Sequence, residues 1–319
     1  MHRGAVVALG SPAALKASVN GGEATLDDVS IHYDKGKFDL PGASLSPIFK
    51  SMDARRELLP LGGTRKERTA EQIAQAKPSR FDYPAIRIGV AGNVTVYYAT
   101  SLGDQGAALG AQMLNAALKP YNDLQTLFGI AGAAVNVIIA PLSGQNDGSG
   151  GAYHMGCDFG SGADLYLDAT FAAAPADPLN LEIGLYVAEL SESFMGPQNK
   201  GWGCGFSNGE ALSRFCAEQA TPPDTLNGFA TGPAWDRAGR PDWISRTEQT
   251  DRDDISTGCG IVYIYWLRSL GFAASRIAQA GGVTLSANYQ AVTGKTSAYE
   301  DLLAALKGVA ITTDNPFSS

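Results

Sequence analysis

The sequence predicts an α/β fold of the α+β kind, a mixed sheet joined to a largely helical C-terminal part. Three observations carry that prediction. Short runs rich in β-branched or alternating residues, AVNVIIAPL at 134–142 and ADLYLDAT at 163–170, read as strands. Residues 179–195 carry an apolar stripe at helical spacing. Near the C-terminus, three short helical patterns each close on glycine.

Taken in order, residues 1–80 are irregular, with a candidate hairpin turn at Lys35-Gly36 and a charged stretch broken by Pro and Gly. They read as an extension that wraps the core or contacts a partner. AIRIGVAGNVTVYYA places two β-like runs around Gly92-Asn93, a hairpin signal. DQGAALGAQMLNAALKPYNDLQTLFG predicts one helix ending at Gly129. The strand at 134–142 is followed by SGQNDGSGGAYHMGCDFGSG, read as a Gly-rich loop, and then by the strand at 163–170.

In the helix over 179–195, Leu179, Ile183, Val187, Leu190 and Phe194 form one stripe, with Leu181, Leu185 and Ala188 on the other side and Glu192 beside them. A helix apolar on two sides lies buried between layers, so Glu192 is expected inside. NGEALSRFCAEQA predicts a second helix, with Ser207 or Asn208 as candidate caps. Residues 221–258 read as a long ordered loop. CGIVYIYWLRSLG is an apolar helix ended by Gly271, and AASRIAQAGG, LSANYQAVTG and SAYEDLLAALKG follow. The expected division is an extension over 1–84, an α/β domain over 85–220 and a loop-rich, helical subdomain over 221–319. No internal repeat or low-complexity segment interrupts it.

With 319 residues, 45% of them hydrophobic, the chain can bury a sizeable core. A net charge of -8 disfavours non-specific nucleic-acid binding and docking on anionic membranes. No stretch approaches the roughly 20 apolar residues that span a bilayer. The apolar run AVVAL near the N-terminus is short for a signal-peptide core, and no location is assigned. Cys157, Cys204, Cys216 and Cys259 allow two disulfides in three connectivities, or buried free thiols. In an exported protein, two disulfides are expected, one of them tying the Gly-rich loop to the turn after the buried helix.

The segment VAELSESFMGPQNKGWGCGFSNGE, residues 187–210, holds the densest chemistry. Glu189 and Glu192, three residues apart on one helix, are neighbours. They are either an acid–base pair with one raised pKa, or each meets an arginine, a backbone N–H or water, with Arg214 and Arg268 in otherwise apolar helices as the obvious partners. His154 sits in the Gly-rich loop beside Cys157 and Asp158. It is a candidate base, a lone metal ligand, half of a Cys–His pair, or a hydrogen-bonded structural histidine. GWGCGFSNGE offers Trp202 and Phe206 as apolar walls of a ligand site, or a tight corner between helices. In PAWDRAGRPDWISRTEQTDRDD, aromatics alternate with acids as in carbohydrate or cation sites, but Arg237, Arg240, Arg246 and Arg252 can neutralise those acids locally.

The order of elements from 85 to 220, with AELSE at 188–192 on the buried helix and NGE at 208–210 opening the next, resembles the zincin metallopeptidases. In that family the buried helix carries HExxH, two histidines one turn apart that hold zinc around a glutamate base. The resemblance implies Glu189 as the base, Glu192 at the second ligand position, Ala188 at the first and Glu210 as the downstream glutamate. Ala188 has no ligand atom, and the chain's three histidines, His2, His32 and His154, lie elsewhere. A histidine-held zinc is therefore not expected, and no cofactor is assigned. An all-oxygen set of Glu189, Glu192, Glu210 and Asp158 would suit Ca²⁺ or Mg²⁺ better.

The likeness implies a degenerate, peptidase-like hydrolase working through cleft carboxylates, with residues 221–310 as the far wall of the cleft. The alternative is a non-catalytic binding or assembly protein on the same scaffold. A peptide or other polymer is the expected ligand. The N-terminal extension is a candidate for homo-oligomer contacts.

Overall fold

A computed structural model of the chain describes residues 81–144, 151–154, 157, 159, 162–171 and 178–318. The N-terminal extension, with its hairpin at Lys35-Gly36, lies outside these residues, as does Asp158.

The architecture is α+β. A five-stranded mixed sheet runs in the order β1-β2-β3-β5-β4. Strand β1 (Ala85–Ala91) and β2 (Val94–Ala99) form the hairpin expected at Gly92-Asn93. Gly92 takes φ 59°, the left-handed turn conformation that glycine adopts without steric cost. Strand β3 (Val135–Ala140) pairs in parallel with β2, and β5 (Ala163–Asp168) in parallel with β3. The far edge is β4 (Ala152–His154), antiparallel to β5, with Tyr153 opposite Tyr166 and His154 opposite Leu165. The Tyr153 and Tyr166 rings stack at 4.8 Å. The Gly-rich segment thus contains a strand that its composition hides. AYH is only three residues long, and what makes it a strand is its pairing with β5.

The helix expected over 104–129 is two helices, α1 (Gly103–Ala116) and α2 (Leu118–Phe128). Pro120 has no N–H to return to the preceding turn, so the run is broken there. Gly129, at φ 70°, caps α2 as expected. Helix α3 (Pro178–Gln198) is the buried helix, packed against β4, β5, α1, α2 and α4 (Ser207–Ala220). Leu185, Val187, Ala188, Leu190 and Phe194, taken from both of its apolar sides, are buried. Phe206 is the N-cap residue of α4, without a side-chain cap, so neither Ser207 nor Asn208 fills that role.

Within 221–258 lie a 3₁₀ turn (Asn227–Phe229) and α5 (Gly232–Arg237). Helix α6 (Asp254–Ser269) begins before the expected Cys259, because Asp253 caps it by accepting from the Ile255 N–H at 2.7 Å. The three short helices follow as α7 (Ala274–Ala280), α8 (Leu285–Thr293) and α9 (Ala298–Ala305). One apolar core runs from Val94 on β2 to Ile311 beyond α9. Among the described residues, no helix is long and apolar enough to cross a membrane.

Candidate active site: a buried imidazole–carboxylate cluster

Three elements bring the site together. Helix α3 carries Glu189 and Glu192, α4 carries Glu210, and edge strand β4 carries His154. All four side chains are 0% exposed. The His154 Nε2 atom lies 3.3 Å from Glu192 Oε2 and 3.8 Å from Glu189 Oε2. Phe159 sets its ring edge-on against the imidazole at 4.9 Å. Glu192 is inside, as its position beside the second apolar stripe predicts, and Glu189 is equally buried.

Glu210 meets this group from the adjacent helix. Arg214, one turn further along α4, approaches it at 3.9 Å from Nε to Oε1 and donates from Nη1 to Thr231 Oγ1 at 3.2 Å. Neither Glu210 oxygen accepts a hydrogen bond. The ion-pair distance by itself would suggest an ionised Glu210. Burial outweighs it: desolvation drives the carboxyl well above its ordinary range, and the charges of Glu192, Asp251 and Glu189 add to that, with Arg214 opposing. A 3.9 Å approach without a hydrogen bond is too loose to reverse the balance.

The Arg268 partner is not realised. Arg268 is exposed and donates to the Phe272 carbonyl at 2.7 Å. The described contacts of Arg214 go to Glu210 and Thr231.

The turn between α3 and α4 is a tight corner. Asn208 ties it, accepting at Oδ1 from the Gly203 and Gly209 N–H groups and donating to the carbonyls of Gly201 and Gly282. A Cβ on Gly209 would stand 2.0 Å from the Gly203 carbonyl oxygen, so backbone meets backbone there. Trp202 is 3% exposed and donates from Nε1 to the Ala278 carbonyl at 2.8 Å. It is a core side chain of the corner rather than an exposed wall.

The corner is pinned to the segment after β4 by a disulfide between Cys157 and Cys204, the loop-to-turn crosslink expected from the sequence. The Cys157 sulfur is therefore spent, and the Cys–His nucleophile pair does not form. Cys204 Sγ itself lies 3.9 Å from His154 Nε2. The second expected disulfide is absent: Cys216 and Cys259 are buried free thiols, and burial pushes Cys216 up to about 12. They lie on separate helices inside the apolar core, where a small thiol behaves as a hydrophobe.

The aromatic and acidic stretch is locally neutralised. Arg240 Nε donates to Asp236 at 2.7 Å, Trp235 is fully buried, and the Arg246 guanidinium lies 4.1 Å over the Trp243 ring.

Two further acids with raised carboxyls lie outside the sequence prediction, Glu182 buried and Glu218 half-buried. Glu182, two helical turns before Glu189, is 0% exposed, and its carboxyl is raised by burial and by the Asp168 charge against a lowering contact from Thr170. Its seven-residue spacing from Glu189 is the signal that could have found it. Glu218 accepts from the Tyr265 hydroxyl at 2.6 Å and is pushed up to about 8, chiefly by burial and by Asp314. No sequence pattern joins these three distant residues.

Compared with family models, curated proteins and solved structures, the chain matches none of them. The zincin likeness implies a zinc ion held by two histidines of the buried helix, and the residues at those two positions, Ala188 and Glu192, do not supply that pair. Ala188 has no donor atom, while Glu192 and Glu210 each offer a carboxylate oxygen. What remains is an acid–base set: one imidazole, two carboxyls in its reach, and a third carboxyl held toward its protonated form.

Proposed function

We propose that the protein is a zincin-like, hydrolase-type protein acting on a peptide or related polymer through carboxylates rather than through histidine-held zinc. The observation that carries this reading is the convergence of Glu189, Glu192 and His154 in one desolvated cluster with Glu210 coupled to it. Crowding three carboxyls out of water opposes stability, and such arrangements are kept where they serve chemistry. In this mechanism Glu189 accepts a proton from the attacking water. Glu210 is the acid that protonates the leaving nitrogen or oxygen. Burial holds Glu210 toward its protonated form, which suits the role of proton donor. His154, held by Glu192, donates toward the developing oxyanion.

A second reading, a non-catalytic binding or assembly scaffold, is favoured by a specific observation: all four groups are fully buried. One experiment separates the two. Full-length protein is incubated with a quenched fluorescent peptide library and with a denatured protein substrate, beside Glu189→Gln. Turnover by wild type that disappears in a folded Glu189→Gln supports the hydrolase. Identical product levels from the two proteins overturn it and leave the scaffold.

A further inference from the structure

The disulfide ends inside the candidate site, and that position suggests a second state of the cluster. Cys204 Sγ, His154 Nε2 and a Glu192 carboxylate oxygen all lie within 4.8 Å of one another, and all three residues are buried. Metal–ligand bonds of ~2.0–2.3 Å at a tetrahedral angle hold donor atoms ~3.3–3.6 Å apart. The His154–Glu192 separation of 3.3 Å already meets that, and the His154–Cys204 separation of 3.9 Å needs only a few tenths of an ångström. A sulfur, an imidazole nitrogen and a carboxylate oxygen form a donor set that zinc accepts, and hard cations do not favour it. In the oxidised protein the set is incomplete, because the Cys204 sulfur is bonded to Cys157 and is not a thiolate.

We propose that the Cys157–Cys204 disulfide gates a zinc-class metal site made of Cys204, His154 and Glu192: closed to metal when oxidised, competent when reduced. Reduction by a phosphine illustrates the balance. The phosphorus attacks one sulfur and the S–S bond breaks. Water supplies the oxygen of the phosphine oxide and the two protons that leave Cys157 and Cys204 as thiols. Metal binding then displaces the Cys204 proton to solvent, and Cys204 Sγ, His154 Nε2 and Glu192 Oε2 bind the ion. Glu189 Oε2, 3.8 Å from the same imidazole nitrogen, borders the fourth position. Cys157, at the partly exposed end of the bond, is where a reductant gains access. This assignment stands on the donor geometry and does not depend on hydrolysis.

The test uses Co²⁺ as a spectroscopic substitute for zinc on the full chain. Oxidised wild type should show no thiolate-to-cobalt charge-transfer band. Protein reduced with tris(2-carboxyethyl)phosphine should show that band together with the intense visible bands of four-coordinate cobalt, and zinc should bleach both. Cys157→Ser, which frees Cys204 without any reductant, should give the same spectrum. Cys204→Ser and His154→Gln should each weaken binding by more than the roughly 10–100-fold that changes around a ligand cause, and Cys204→Ser should abolish the charge-transfer band. Zinc should raise the melting temperature of the reduced protein and leave that of the oxidised protein unchanged. The proposal is overturned if neither the reduced wild type nor Cys157→Ser develops the thiolate band, or if Cys204→Ser retains it. Equal zinc affinity in the oxidised and reduced forms would also overturn it.

Discussion

Replacing Glu210 with Gln is the sharpest test of the cluster's electrostatics. If Glu210 is an ionised partner of Arg214, the pair at 3.9 Å is worth about 4 kcal/mol of attraction at an effective dielectric of ~20. Removing one member of a buried pair would then destabilise by about 3–5 kcal/mol. The structure argues for the other outcome. Desolvation is the largest influence on Glu210, the charges of Glu192, Asp251 and Glu189 act in the same direction, and Arg214 alone opposes them. Glu210 is then held toward its protonated form, for which Gln is a near-isosteric neutral substitute, and at neutral pH Glu210→Gln should change stability by less than about 1 kcal/mol in either direction.

The pH dependence has a definite sign. A carboxyl raised in the folded state stabilises fully below its unfolded value of ~4.3, and that contribution is lost as pH rises toward the folded value. Wild type should therefore lose stability with rising pH more steeply than Glu210→Gln across that window. Urea melts of both proteins at several pH values measure this. A loss of 3–5 kcal/mol in Glu210→Gln, or a steeper pH dependence in the variant than in wild type, would refute the reasoning and make the cluster an ion-pair scaffold.

Three further outcomes are expected. Thiol titration in denaturant without reductant should find two reactive thiols per chain, Cys216 and Cys259, rising to four after reduction; four at the outset would contradict the crosslink. Gly209→Ala sets a Cβ against the Gly203 carbonyl, which has little room to move, and should destabilise by about 1–3 kcal/mol or more; an unchanged urea midpoint would show that the corner opens easily. Glu218, pushed up to about 8, should draw stability away as pH rises from ~4.3 through that value, and Glu218→Gln should flatten this part of the stability curve. Melting temperatures of both proteins at pH values spanning that range decide it.

Periodicity alone determined the hairpin at Gly92-Asn93, the strands β3 and β5, the burial of α3, and the glycine that closes α2. These follow from interactions within a few residues: alternating or helical spacing of apolar side chains, and backbone conformations that glycine takes without strain. The same logic placed Glu192 inside, because a helix apolar on two sides has no face left for water. Strand β4 was not legible, since AYH becomes a strand only by pairing with Leu165–Leu167, and a Gly-rich surrounding gives no local signal of that partner. The position of His154 followed from the same pairing, so its approach to Glu189 and Glu192 was beyond any reading of spacing. The approach of Arg214 to Glu210, by contrast, follows from their spacing of four residues along α4 and needs no tertiary contact. The choice between two disulfides and one was tertiary: Cys157 and Cys204 meet where the segment after the edge strand reaches the corner between α3 and α4, while Cys216 on α4 and Cys259 on α6 stay buried free thiols.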